Sequence, residues 1–159
     1  MHLIYQKSTP KSSNALQQGL RMKLIELAYV SRSTQKMNEI EFINFLGEIR
    51  YLNKKNNLTG VISFKSSGVF GHLIEGFESV VLPLFEKIKS DPRHTDVTLI
   101  HQAYISERNY SKYPAKFIGD IDVVFNEFEE EEDYFDISPG LPKYLGQGMI
   151  ELSRKSLIK

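Results

Sequence analysis

Apolar residues in the first third of the chain form one short run, then recur every three or four positions. The run Lys23–Ser31 is rich in branched and aromatic residues and predicts a buried strand. Asn38 and Glu41 have the spacing of a capping box, and apolar residues follow at helical intervals. The pattern therefore predicts a helix from Met37 to Leu52.

The middle of the chain predicts a hairpin, a second helix and two more strands. A polar stretch ending in Gly68 separates the two arms of the hairpin, and glycine takes the positive φ that such turns need. Pro92 follows the second helix, which it cannot extend. The predicted ranges are Leu58–Phe64 and Val69–Glu75 for the hairpin, Phe77–Ser90 for the helix, and Val97–Ile105 and Lys116–Ile118 for the strands.

The order strand, helix, hairpin, helix, strand predicts an α+β fold with a ferredoxin-like split βαβ sheet. Both helices should cover one face of this sheet, and the first and third strands should lie side by side at its centre. The predicted organisation is an N-terminal extension at 1–21, a domain at 22–118 and a helical extension at 119–159. We expect the C-terminal extension to cover the second face of the sheet and to help form a dimer.

Composition narrows the functional classes. Twenty basic residues balance twenty acidic ones, so no overall positive field favours nucleic acid or anionic lipid. No apolar stretch has the length of a membrane span, and cysteine is absent. We expect a soluble, cytoplasmic protein with no nucleic-acid or membrane partner, and the acidic stretch Glu127–Asp133 is predicted to be a solvated surface.

Signatures of the common enzyme classes are missing from the sequence. There is no phosphate-binding glycine loop, dinucleotide fingerprint, zinc-protease motif or serine nucleophile elbow. The histidines have no metal-ligand spacing with nearby carboxylates; they are His2, His72, His94 and His101. We therefore predict that the chain is not an enzyme and holds no metal.

Several short motifs occur in an order and spacing that resemble the BLUF family of blue-light sensors. The run Leu27–Arg32 resembles the family's opening strand, and Asn53 lies five residues before Leu58-Thr59-Gly60, as the family's asparagine does. The segments Gly68–Gly76 and Asp91–His94 resemble two further family motifs, G-x-F-F-Q-x-L-E-G and D-x-R-H. A last stretch matches at Ile105, Arg108, Tyr110 and Tyr113, so that the resemblance covers Lys23 to Phe117.

The resemblance implies that FAD binds noncovalently between the two helices. It assigns Asn53 to the flavin's pyrimidine edge and makes Tyr29 the electron and proton donor beside the excited ring. The cofactor-binding residues that it implies are Tyr29, Ser31, Asn53, His72, Asp91, Arg93 and His94.

This chain departs from the family at the position on which the light switch depends. His72 stands where the family has a glutamine. Imidazole has its donor and acceptor on opposite sides of a rigid ring, so it cannot reproduce an amide's rearrangement. The resemblance therefore implies an altered or lost photocycle. Histidine also titrates near neutral pH, which predicts flavin properties that vary with pH. The other departures are Leu52, Gly71, Tyr113 and Ala115.

Each candidate residue also has a simpler interpretation. Tyr29 fits a core tyrosine on a central strand, and His72 fits a residue that only fills space. Asn53 fits a cap at the C-terminus of the first helix. The simpler role for Arg93 and His94 is an interaction with the dipole at the C-terminus of the second helix.

Two functional hypotheses follow from different classes. The first is a flavin-binding blue-light sensor that signals through a protein partner or a homo-oligomer. The alternative is a BLUF-derived, non-photoactive oligomerisation or interaction module. A small hydrolase on the same fold ranks last, because no paired catalytic groups are present in the sequence.

Overall fold

A computed structural model describes residues 22–65, 67–118 and 143–155. The predicted N-terminal extension at 1–21 and the acidic stretch Glu127–Asp133 lie outside the described residues. Within the described ranges, no helix combines the length and hydropathy that a transmembrane span requires.

The described strands form one five-stranded sheet. The strands are β1 (Leu24–Ser33), β2 (Thr59–Phe64), β3 (Val69–Phe77), β4 (His94–Tyr104) and β5 (Lys116–Phe117). Their order is β4-β1-β3-β2-β5, with β5 parallel to β2 and all other neighbours antiparallel. The predicted α+β class, the ferredoxin-like order and the central place of the first and third strands are confirmed.

Local sequence signals set the ends of the helices. They are α1 (Glu39–Lys55), α2 (Glu78–Ser90) and α3 (Lys143–Lys155). The predicted capping box is present, since Asn38 Oδ1 accepts from the Glu41 N–H at 3.0 Å and Glu41 Oε2 accepts from the Asn38 N–H at 2.8 Å. The helix α2 ends directly before Asp91-Pro92, as predicted.

Helices α1 and α2 pack together on one face of the sheet. Side chains alternate between the two faces along a strand, so Leu27 and Tyr29 of β1 face these helices. They form one buried cluster with Phe42 and Leu46 from α1 and with Phe85 from α2. The expectation that both helices share one face is confirmed.

Helix α3 covers the second face. Leu145, Met149 and Leu152 are buried in a separate cluster that includes Val30 of β1 and Leu73 of β3. For residues 143–155, the prediction that the C-terminal extension covers the sheet is confirmed.

Two glycines bring α3 into direct contact with the sheet. A Cβ atom at Gly71 would lie 2.8 Å from the Sδ of Met149, and a Cβ at Gly148 would lie 2.8 Å from the Cδ1 of Ile100. Both distances are shorter than ordinary van der Waals contact, so a larger side chain at either position would require Met149 or Ile100 to shift, or α3 to move from the sheet.

A buried carboxylate fixes the loop that follows β4. Glu75 is fully buried and accepts from the Thr59 hydroxyl at 2.8 Å, the Asn109 N–H at 2.7 Å and the Tyr110 N–H at 3.1 Å. The Arg108 guanidinium also donates to the Thr59 hydroxyl at 3.0 Å. These charge-assisted bonds hold the loop against β2 and β3.

The start of β4 and the end of α1 differ from the prediction, because the residues there do not follow the apolar pattern used to predict helices and strands. Strand β4 begins at His94 rather than Val97, because its first residues pair through the backbone with Arg32 and Ser33 of β1. Helix α1 continues past Leu52 to Lys55. A helical turn exposed to solvent shows no apolar pattern from which to predict it.

Removing a buried side chain of α3 tests whether this helix belongs to the folded core. Met149→Ala should lower the free energy of unfolding by about 2–5 kcal/mol, because it opens a cavity against Gly71. Ile150→Ala is the matched control, since that neighbouring side chain is 46% exposed and should cost less than about 1 kcal/mol. Urea denaturation measures both. Equal losses for the two variants would contradict the packing of α3 described above.

Candidate functional site

A cavity of about 340 Å³ lies between α1, α2 and the two central strands. Its size is at the lower end of the range typical of ligand-binding pockets. We call it the site cavity; its lining residues are Tyr29, Phe45, Ile49, Leu52, Asn53, Asn56, Leu58, Phe70, His72, Leu84, Lys87, Ile88, Asp91, Arg93 and His94. Six of the seven predicted site residues therefore line one cavity, and the exception is Ser31.

Strand register places Tyr29 directly opposite His72 on β3. The two side chains are buried, and the Tyr29 hydroxyl lies 3.3 Å from Nδ1 of His72. If the tyrosine O–H donates to Nδ1, the imidazole proton is on Nε2. Nε2 of His72 is buried and has no hydrogen-bond partner within the described residues.

Burial holds both members of this pair in their neutral forms. It raises the pKa of the Tyr29 phenol far above its usual range, and the nearby Asp91 carboxylate raises it further. Burial, followed by the influence of His94, lowers the pKa of His72 to about 3. The prediction that His72 titrates near neutral pH is therefore wrong, because it took the ordinary pKa of histidine, which burial lowers.

Asn53 lies at the C-terminal end of the buried face of α1. Its side chain is 3% exposed, and its Nδ2 donates to the carbonyl oxygen of Pro114 at 2.7 Å. The alternative of a helix cap is wrong, because the C-cap residue is Asn56, whose side chain bonds to the Leu52 carbonyl at 2.8 Å.

The residues after α2 form a charged pair at the cavity wall. The Arg93 guanidinium donates to both carboxylate oxygens of Asp91, with the shortest distance 2.7 Å. These bonds hold the pKa of Asp91 at about 2, so its carboxylate stays ionised at neutral pH. The Arg93 side chain is largely exposed, and its Nη1 lies 4.0 Å from Oε2 of Glu48. Its guanidinium group also lies over the Phe45 ring.

Ser31 reaches the site through His94. Its hydroxyl lies 2.9 Å from Nδ1 of His94, whose ring is 5.6 Å from the Phe70 ring. Burial is the main cause that lowers the pKa of His94, and the Arg93 charge adds to it while Asp91 opposes it. Ser31 therefore orients a residue of the cavity wall without lining the cavity.

The departures other than His72 have different locations. Gly71 lies on β3 beneath α3, where Met149 occupies the space beside it. Neither Tyr113 nor Ala115 lines the site cavity, and Ala115 is fully buried in the core. Leu52 does line the cavity and is 52% exposed.

Sequence motifs missed most of the apolar wall. Ile49, Leu84 and Ile88 belong to the apolar helical pattern of α1 and α2, and they pack against the core as well as lining the cavity. The sequence did not indicate that Lys87 lies at the site, because the residues around it predict only an exposed position on a helix.

The family model for sensors of blue light using FAD matches residues 24–116, which is more than half of the chain. The match includes all seven predicted site residues. The chain belongs to the BLUF family. The domain that this family describes is a flavin-dependent sensory module.

Curated relatives include large photoactivated enzymes of Euglena gracilis. The chain is 33% identical to photoactivated adenylate cyclase subunit beta over 87 residues, which are 55% of this chain and 10% of that protein. It is 32% identical to the alpha subunit over 110 residues, or 69% of this chain and 10% of that protein. The chain thus spans about a tenth of the length of these relatives.

Solved structures support the fold. BlsA in its photo-activated state is 27% identical, with a TM-score of 0.56 over 61% of this chain and 70% of that one. The dark-state structure of BlrB, described as a BLUF protein, has a TM-score of 0.57 at 24% identity over 61% of this chain and 73% of that one.

Acid should destabilise the flavin-free protein through His72. The folded state holds this side chain neutral down to about pH 3, whereas the unfolded chain takes up a proton near its ordinary pKa of about 6.5. The free energy of unfolding should therefore fall as pH drops through this window, by up to about 1.4 kcal/mol per pH unit from this residue. His72→Gln should show a shallower slope in urea unfolding at a series of pH values. Identical slopes in the two proteins would exclude a buried neutral histidine.

Proposed function

We propose that this chain binds FAD noncovalently in the site cavity and responds to blue light with a photocycle altered by His72. The observation that carries the proposal is the buried Nε2 of His72, which has no partner in the described part of the chain although its ring lines the cavity. An unpaired buried N–H is costly. An acceptor on a bound ligand would satisfy it.

The other polar groups around the cavity fit a flavin. Beyond its bond to Pro114, the Asn53 amide retains one N–H and its carbonyl oxygen, which complement the imide edge of a flavin ring. Lys87 and Arg93 line the same cavity and would favour the phosphates of FAD. The apolar side chains of both helices would hold the flat ring.

Bound flavin would supply the absorption of blue light and an acceptor for an electron. The protein's part is to hold a proton at the Tyr29 oxygen, beside an uncharged base. The raised pKa of Tyr29 keeps its phenol protonated, and the lowered pKa of His72 keeps Nδ1 free to accept. Tyr29 is therefore suited to give up an electron and a proton together.

His72 should change how the light response ends. A glutamine amide rotates and exchanges its donor and acceptor within one small group, whereas the nitrogens of imidazole lie on opposite sides of a rigid ring. With Nδ1 next to Tyr29, only Nε2 remains for a ligand. A hydrogen-bond rearrangement between tyrosine, residue 72 and ligand is therefore restricted in this protein.

The output of this sensor should be a change in protein interaction rather than a catalytic step. Helix α3 covers the second face of the sheet, and Arg32 of β1 donates to the Leu152 carbonyl near the end of α3 at 3.0 Å. Arg32 follows Ser31, the residue that contacts His94. We propose a homo-oligomer or an unidentified cytoplasmic protein as the recipient, without enzymatic activity in this domain.

The competing proposal is a BLUF-derived module that has lost its response to light and serves in oligomerisation or interaction. The replacement of the switch glutamine by His72 favours it. The two proposals differ in whether flavin binds and whether light alters it. An absorption spectrum before and after blue light separates them.

Flavin binding is the first expected result. The protein as purified, or after incubation with FAD, should show flavin absorption bands. Asn53→Ala should weaken FAD affinity about ten- to a hundredfold, because it removes two hydrogen bonds to the ring. Fluorescence titration measures the Kd, and Asn44→Ala, an exposed asparagine on the same helix, is the matched control. A protein that never takes up flavin would leave the interaction module as the better proposal.

The light response is expected to lack the family's persistent small red shift. Blue light should reduce or quench bound flavin through Tyr29, and Tyr29→Phe should abolish that effect, because phenylalanine has no hydroxyl to lose a proton. His72→Gln should restore a red-shifted state, which absorption spectra taken after illumination would detect. A stable and reversible red shift in the unmodified protein would show that His72 is not a disabled switch.

A further inference from the structure

We infer that Arg50 is a positioning residue for the Asn53 amide, although Arg50 does not line the site cavity. The inference rests on the proposed function, in which Asn53 contacts the flavin. Arg50 and Asn53 are three residues apart on α1, so both side chains extend from the same face of the helix. They reach consecutive residues of one backbone segment, Pro114 and Ala115.

Three successive carbonyl groups of this segment are held by different donors. The Tyr113 carbonyl accepts from the Gly60 N–H at 3.1 Å, and the Pro114 carbonyl accepts from Asn53 Nδ2 at 2.7 Å. The Ala115 carbonyl accepts from Arg50 Nε at 3.1 Å. The segment is thereby fixed on both sides of Pro114.

The bond to Pro114 determines what Asn53 presents to a ligand. The terminal torsion of an asparagine side chain is broad, so its amide needs a fixed partner to keep one orientation. A carbonyl acceptor at Pro114 requires the nitrogen end of the amide, and this leaves the amide oxygen and one N–H for the cavity. No further hydrogen bond of this amide occurs within the described residues.

Arg50 acts one peptide away from that acceptor. Its bond to Ala115 ties the segment to α1, the helix that carries Asn53, and Ala115 itself is fully buried. If the Arg50 bond is lost, the peptide next to Pro114 loses its direct tie to α1 and is held only by the Gly60–Tyr113 bond and by the pairing of β5 with β2. The Pro114 carbonyl is then less firmly placed against Asn53, and the Asn53 amide is held less strictly in the orientation that matches a flavin edge.

A double-mutant cycle with FAD as the probe tests this series of contacts in the whole 159-residue chain. Arg50→Met keeps the length of the side chain but removes the donor. It should weaken FAD affinity about five- to tenfold when Asn53 is present, and less than about twofold in an Asn53→Ala background. Lys54→Met, an exposed residue in the last turn of α1, is the control and should leave the Kd unchanged. Equal losses in both backgrounds, or no loss in either, would overturn the role of Arg50.

A second measurement needs no flavin. The side-chain amide of Asn53 can be assigned by NMR as the signal that disappears in Asn53→Ala. In flavin-free Arg50→Met this amide should exchange faster with water and shift toward the position of a free amide, whereas Lys54→Met should leave it in place. An unchanged signal in Arg50→Met would overturn the inference even if FAD binds. Failure of the unmodified protein to bind FAD, with the amide shifted as expected, would contradict the proposed function but retain the positioning of Asn53 by Arg50 through the segment of Pro114 and Ala115.

Discussion

The antiparallel pairing of β1 with β3 is the constraint on which both faces of this protein depend. It places Tyr29 opposite His72 on the face covered by α1 and α2, and it places Val30 opposite Gly71 on the face covered by α3. A slip of one residue would exchange the two faces and turn the site residues toward α3. The burial of Leu27–Ser31 in β1 and of Val69–Gly76 in β3 makes such a slip very unfavourable.

The site gains its chemistry from low polarity as much as from the residues themselves. Tyr29 and His72 are ordinary side chains, but burial raises the pKa of one and lowers the pKa of the other. Both stay uncharged across the pH range in which proteins usually work. The charged groups, Asp91 and Arg93, pair with each other at the more exposed wall, so the interior of the cavity carries no unpaired charge from them.

Much of the fold was predictable because its signals are local. The capping box at Asn38 and the proline after α2 depend on residues within one turn; the box lies at the observed start of α1, two residues after the predicted Met37, and α2 ends at Ser90 as predicted. The order of strands followed from general rules of connection. The site residues came from motif spacing, and six of the seven meet at one cavity.

Other features depend on contacts distant in sequence, and no local pattern contains them. The partner of Asn53 is a carbonyl sixty-one residues further along the chain. The pKa of His72 depends on complete burial between Tyr29 and Phe70, which spacing alone cannot predict. The early start of β4 depends on backbone pairing with β1.

The glycine contacts beneath α3 have a consequence for how this protein could exchange parts with its relatives. The shared sensor ends at residue 116, whereas α3 begins at Lys143 and fits the sheet because side chains are missing at both Gly71 and Gly148. A transplanted helix with a bulkier residue in place of Gly148 would crowd Ile100 and Val30. The sheet and its covering helix are therefore fitted to each other, and a replacement helix would need a small residue at this point.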